Sequence, residues 1–252
     1  MPAADDTLPF EAFGPPYDFP RFGAVPRVYM IASTPRSGSH FLGHLLFATG
    51  DLGCPLEYFR PDAFQQWGRF LRSSAPSEIV REIMARRTSP SGWFGFKVHW
   101  DQFRFMRSLS LAASAMPISR VIWIRRRDLL DQAISLLIAR QTGAWISFQE
   151  ERRAASYSAH RIRNTMRWLA DSETQWRRFF RSAGLSPRVV LYEDLVGDPG
   201  VQVNALLTWF GLPPSQRKIA SLTAKQATER NAAWKKRFLA ENGPPRPVEV
   251  AA

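Results

Sequence analysis

The strongest constraint on the fold of this chain is a repeated pattern: a short apolar run, a tight polar turn, then a stretch with helical spacing. Residues 28–33 are such a run, and they enter a turn containing Pro35, Ser37 and Gly38. Phe41, Leu42, Leu45 and Leu46 then recur at helical spacing over 40–49, and Gly50 stops that helix. Residues 93–99 read as a second strand. Residues 120–125, with Val121, Ile122, Trp123 and Ile124, read as a third, followed by a helix over 128–141. A long amphipathic helix is expected over 157–183, a further buried strand over 188–192, and a helix over 201–210 closed by Gly211. Strands separated by helices pair in parallel and are covered on both faces, which gives an α/β fold with a central parallel sheet flanked by helices. Ligands of such sheets lie beyond the carboxyl ends of the strands, and each polar motif of this chain falls there.

A chain of 252 residues fits one domain with a substantial core, and its 45% hydrophobic and 22% charged residues belong to a globular protein. An extended arm at 1–26, rich in Pro, Gly and Phe, a domain over 27–240, and a disordered tail at 241–252 are expected. No apolar stretch approaches the roughly 18 residues of a membrane span. Asp5 and Asp6 near the start do not fit a secretory signal, and the single Cys54 suits a reducing compartment, so a cytoplasmic location is expected. The 34 basic against 22 acidic residues give a net charge of +12. Such a surface concentrates anions, whether nucleic acid, phospholipid or a charged nucleotide, and the placement of the arginines has to decide among them.

Residues 33–39, Ser-Thr-Pro-Arg-Ser-Gly-Ser, link the first strand to the first helix. Free backbone N–H groups and the dipole at a helix start favour an anion there. Arg36 adds a fixed cationic fork, and Ser37 and Ser39 add hydroxyl donors. The first Gly and the Lys of the nucleotide-triphosphatase loop are both missing, which disfavours metal-assisted phosphoryl transfer. A second motif, Arg125-Arg126-Arg127-Asp128, follows the third strand. Three arginines there need an anion, an acidic partner or water. Asp128, Gln132 and Ser135 form one polar stripe on the next helix, opposite Leu130, Ala133, Ile134 and Leu137. Lys97 and His99 lie two apart at the end of the second strand and point to one side of it. An imidazole there suits a general base near neutral pH.

These motifs together resemble the sulfotransferases that use 3'-phosphoadenosine 5'-phosphosulfate (PAPS). The closer likeness is to the trehalose sulfotransferase family of actinobacterial carbohydrate enzymes. The resemblance implies a P-loop-like three-layer sandwich, PAPS as donor, its 3',5'-diphosphate (PAP) as product, and no metal. It implies that Thr34, Pro35, Arg36, Ser37, Gly38 and Ser39 hold the 5' end of the donor. Ser135 with Arg126 or Arg127 would hold the 3'-phosphate. Tyr192, in Tyr-Glu-Asp-Leu, would lie near the adenine, with Glu193 a structural hydrogen-bond partner. Lys225, Gln226 and Trp234 resemble the closing segment of that family.

For the acceptor, Glu57 in Cys54-Pro55-Leu56-Glu57-Tyr58-Phe59 resembles the proposed base of the trehalose enzymes. The segment through Arg60, with Trp67, would contact a sugar, and Phe64, Phe94 and Trp100 could extend an aromatic platform. Glu57 ranks first as base and His99 second, with Lys97 and Arg36 as charge stabilisers. The resemblance implies a carbohydrate or glycolipid acceptor and a homodimer, and at most peripheral membrane contact is expected. A basic nucleic-acid-binding protein and a metal-free small-molecule kinase are the alternatives. The first rests on basic clusters such as Arg161, Arg163 and Arg167; the second is weakened by the missing Gly-Lys-Ser/Thr.

Overall fold

The computed structural model describes residues 14–109, 111, 116–145, 149–217, 219 and 229–245. Strands β1 (Arg27–Ser33), β2 (Trp93–His99), β3 (Ile118–Arg125) and β4 (Arg188–Leu191) form one sheet in the order β2-β1-β3-β4. Every neighbouring pair is parallel, so all four strands end on the same edge. There Ser33 is in register with His99, and Arg125 with Leu191. The chain moves from β1 to β2 on one side and then crosses to β3 on the other. The strand order therefore reverses between β1 and β3, and the connections leaving their ends diverge around a crevice.

Period-two alternation assigns the two faces of the sheet. Tyr29 and Ile31 of β1 point to a cluster completed by Leu42, Leu45 and Leu46 of α1 (Ser39–Thr49) and by Val203, Leu206 and Leu207 of α8 (Pro199–Trp209). Val28, Met30 and Ala32 point to the opposite cluster. That face is covered by α2 (Pro61–Leu71), α3 (Pro76–Arg87), α4 (Trp100–Ser108) and α6 (Ala159–Ser182), which contribute Trp67, Ile83, Phe103 and Trp176. The result is helix, sheet, helix, the three-layer architecture expected. Full burial of each large aliphatic side chain contributes about 1.5–3 kcal/mol. A charged substitution at Ile31, which is 0% exposed, therefore removes this driving force and strands an ion in the core. A third cluster joins α5 (Leu129–Thr142), the first half of α6 and α9 (Glu229–Asn242) through Ile134, Ile162, Leu169, Trp234 and Phe238.

Several boundaries move by one or two residues. Tyr192 starts α7 (Tyr192–Gly197) rather than ending β4, because Glu193 and Asp194 complement the positive end of that helix. Helices α2 and α3 begin at Pro61 and Pro76, where proline loses no helical hydrogen bond. The chain before β1 follows α3: Phe19 and Phe22 donate backbone hydrogen bonds to the Arg86 and Ala85 carbonyls, and Arg21 forks onto Glu82. Among the described residues, no helix is long and apolar enough to cross a membrane.

Candidate active site

The loop after β1 forms the first half of the crevice. Arg36 and Gly38 both have left-handed backbone, with φ of 63° and 87°. For Arg36 such a conformation costs about 1–3 kcal/mol and persists only when its surroundings hold it. Here α5 supplies the hold. Ser135 Oγ accepts from Arg36 Nε at 2.9 Å, and Gln132 Nε2 donates to Thr34 Oγ1 and to the Pro35 carbonyl, both at 2.8 Å. Arg36 Nη1 also donates to the Trp145 carbonyl. Only glycine fits at 38, since a Cβ would sit 2.3 Å from Cδ2 of Tyr192, whose ring closes over the loop. The Ser37 hydroxyl is fully buried and has no hydrogen-bond partner among the described residues, and α1 starts without a side-chain cap. Leaving a buried hydroxyl unmatched costs about 1–3 kcal/mol, so a cradle of this kind fits an anion such as the 5' end of a nucleotide.

The loop after β3 supplies the second half. Its three arginines diverge. Arg125 binds Glu173 at 2.5 Å and lies over the Trp123 ring. Arg127 forks onto Asp194 at 2.8 Å through both Nη atoms and is exposed. Its pairing with Asp194 of α7 favours Arg126 over Arg127 for the expected donor contact. Arg126 stays. It lies over the Tyr192 ring at 4.9 Å and donates to Asp131 at 2.9 Å, while its Nε has no hydrogen-bond partner among the described residues. The Arg36 guanidinium is lowered to about 10, first by burial and then by the charge of Arg126. Two cations brought this close favour an anion between them. Glu193 accepts from the backbone N–H of Arg127 and fixes the turn, the structural role expected of it. Lys225 and Gln226 lie outside the described residues.

Beside this cradle is a second cluster at the end of β2. Leu56 forms an isolated parallel bridge with Phe96, and its carbonyl accepts from the Lys97 N–H at 3.0 Å. That short continuation of the sheet sets Glu57 against Lys97. Lys97 Nζ lies 2.6 Å from Glu57 Oε1, Gln102 Nε2 donates to Oε2 at 3.0 Å, and His99 Nε2 is 3.5 Å from Oε1. Ser33 Oγ sits 2.9 Å from His99 Nδ1 and 3.1 Å from the Val98 carbonyl. In the tautomer where Ser33 gives its proton to that carbonyl and accepts from Nδ1–H, Nε2 carries the free lone pair; in the other, Nε2–H faces Glu57. Burial pushes the Glu57 carboxyl up, but Lys97, then His99 and Arg60, outweigh it and hold the group well below the usual carboxylate range. Burial lowers the His99 imidazole, against the opposing pull of Glu57. The ring is therefore neutral at neutral pH.

Most of the expected sugar contacts are buried. Cys54, Leu56, Tyr58, Phe59, Phe64, Trp67 and Phe94 are at most 5% exposed, and Pro55 is buried. Tyr58 stacks on Phe94 at 6.0 Å, Phe59 meets Phe96 edge-on at 5.1 Å, and the Tyr58 hydroxyl donates to the Cys54 carbonyl. Aromatic rings beside an already apolar strand gain more from joining the core than from meeting water, and here they fix the segment that carries Glu57. Trp100 packs edge-on against Trp176 at 5.0 Å. Arg60 remains partly exposed and binds Asp62 at 2.6 Å. The sequence reading missed Ser33, Gln102 and Asp131. Gln102 had a visible signal, since it stands three residues after His99 and forms a capping box with it.

A family model described as Stf0 sulphotransferase matches residues 28–241. Trehalose 2-sulfotransferase of Mycobacterium tuberculosis (strain ATCC 35801 / TMC 107 / Erdman) is 26% identical, covering 85% of this chain and 95% of that protein. The protein of the same name from Mycolicibacterium smegmatis (strain ATCC 700084 / mc(2)155) is 27% identical, covering 84% and 94%. Nodulation protein H of Rhizobium meliloti (strain 1021) is 25% identical, covering 81% and 85%.

Proposed function

Because this chain belongs to the Stf0 sulphotransferase family and is a sulfotransferase, we propose that it moves a sulfuryl group from PAPS to a carbohydrate hydroxyl. The observation that carries this reading is the Arg36–Ser135 hydrogen bond, which joins the two anion grips across one crevice. Residues 34–39 would hold the 5' end of the donor, Arg126 and Ser135 its 3'-phosphate, and Tyr192 would flank the base. The unmatched Ser37 hydroxyl and the paired Arg36 and Arg126 charges support that fit. When bound, the donor supplies an activated sulfuryl group.

The chain's own residues then have three tasks. The cradle aligns the donor with the acceptor oxygen. Arg36 and Lys97 place positive charge where the leaving oxygen becomes negative. His99 Nε2 takes the hydroxyl proton, and Glu57 stabilises the imidazolium, as a carboxylate does beside a catalytic histidine. A second reading gives the proton to Glu57. The family resemblance favours it, and the 2.6 Å ion pair opposes it, because Lys97 must leave Oε1 first. Trehalose, a glycolipid and a surface polysaccharide are the acceptors proposed, with a cytoplasmic homodimer as the working form. Names of the relatives support the carbohydrate class.

The test is transfer of labelled sulfuryl from PAPS to each acceptor by purified protein. Label on a saccharide is expected. Transfer to none, with glycolipid and polysaccharide included, refutes the carbohydrate reading.

A further inference from the structure

Several arginines outside α6 meet an acid. Arg21 reaches Glu82, Arg87 reaches Asp18, Arg127 reaches Asp194, Arg230 reaches Glu151 and Arg237 reaches Glu241. Others meet none among the described residues, and helix α6 sets four of these in one line. At 100° per residue, Arg163, Arg167, Arg178 and Arg181 fall within about 60° of arc, in a line roughly 27 Å long. All four are exposed. Arg163 and Arg167 hydrogen-bond the neutral amides of Asn242 and Asn164, and among the described residues none of the four has a carboxylate within ion-pair distance. Asp171, at the edge of the same arc, joins no ion pair among those residues either. The opposite side of α6 is fixed in the core through Ile162, Leu169, Trp176 and Phe180. The arginines therefore stand as a ridge on a helix that cannot turn or insert.

We propose that this ridge docks the protein on an anionic lipid bilayer. The arrangement suits a plane: the four arginines share one line along a single helix face. Trp168 lies outside the arc, about 140° from Arg163, so within the arc α6 itself carries no aromatic ring on which nucleobases could stack. Guanidinium groups bind lipid phosphates through paired N–H donors, and basic side chains near an anionic leaflet add favourable energy one by one. With the apolar face of α6 committed to the core, the contact is electrostatic and reversible. It stands independently of the acceptor: the docking can fail while sulfuryl transfer persists, and the reverse.

The experiment is sedimentation of the full chain with mixed phosphatidylcholine–phosphatidylglycerol vesicles at about 0.15 M salt, against phosphatidylcholine alone. One variant carries Arg163→Gln, Arg167→Gln, Arg178→Gln and Arg181→Gln. A control with the same net charge carries Arg69→Gln, Arg72→Gln, Arg104→Gln and Arg107→Gln, all exposed positions elsewhere. The ridge variant is expected to lose vesicle binding by at least about 10-fold, and the control to stay within about two-fold of the parent. Should the fourfold ridge variant unfold, the pairs R163Q/R167Q and R178Q/R181Q carry the same comparison. Equal losses in ridge and control variants, or no binding by the parent, overturn the proposal. So does an oligonucleotide held through the same four arginines while vesicles are ignored.

Discussion

Arg36 and Ser135, 99 residues apart in the chain, are joined by a 2.9 Å hydrogen bond from guanidinium Nε to hydroxyl Oγ. The bond ties the loop after β1 to the helix after β3 across the point where the strand order reverses. It makes one site of two motifs, each of which alone is only a turn with some charge.

Donor affinity should follow this arrangement. Ser135→Ala and Arg126→Ala are each expected to weaken PAP binding by ~1–3 kcal/mol, the scale of a charge-assisted hydrogen bond. Arg127→Ala removes an exposed pair with Asp194 and should change affinity by less than about 1 kcal/mol. Titration calorimetry with PAP separates the two cases, and equal losses at Arg126 and Arg127 would contradict the assignment.

At Gly38 the prediction concerns shape. A methyl there meets Tyr192 at 2.3 Å, on backbone with φ of 87°. Gly38→Ala should cost about 1–3 kcal/mol of folding stability from the backbone alone. Adding Tyr192→Ala should recover the steric part and leave the backbone part. Urea denaturation of the single and double variants measures both.

The motifs after β1 and β3 were legible because they are local: a strand end, a turn and a helix start lie within a dozen residues, and the polar stripe of α5 follows from helical period alone. The Glu57 segment was not. Its aromatic residues look the same in sequence whether they line a sugar site or a core, and only the bridge from Leu56 to Phe96 decides. Likewise Arg126 and Arg127 are adjacent in the chain, and a difference of one residue sends one side chain to the crevice and the other to α7. The α3 helix was missed for another reason: six of its twelve residues are charged or proline, and burial of Ile79, Val80, Ile83 and Met84 outweighs that composition.

The identity of the base appears in a pH profile. His99 is active when neutral, so kcat/KM should be flat at neutral pH and fall as pH drops through its pKa. Burial lowers that pKa, so the fall lies below the ordinary imidazole value of 6.5. His99→Asn should slow turnover by about 10²–10⁴ and remove this limb. A profile in which Glu57→Gln abolishes the acid limb and His99→Asn leaves it intact reverses the order of the two.

Gln102 is a positioning residue. Its amide N–H donates to Glu57 Oε2 and its carbonyl accepts from the His99 N–H. Gln102→Ala should lower kcat by about 10-fold, the loss of roughly one net hydrogen bond, and leave PAP affinity unchanged. Gln102→Glu keeps the contact to the His99 N–H but sets a second carboxylate beside Glu57, and should raise the pKa of the acid limb. A structural role alone would lower stability without moving that limb.

Thermal unfolding with added nucleotide tests the cradle most directly. PAP, with phosphates on both the 3' and 5' positions, should raise the Tm of the parent protein, and the rise should shrink in Ser135→Ala; ATP and an oligonucleotide at equal concentration should leave Tm unchanged. A rise with ATP or the oligonucleotide and none with PAP would contradict the account.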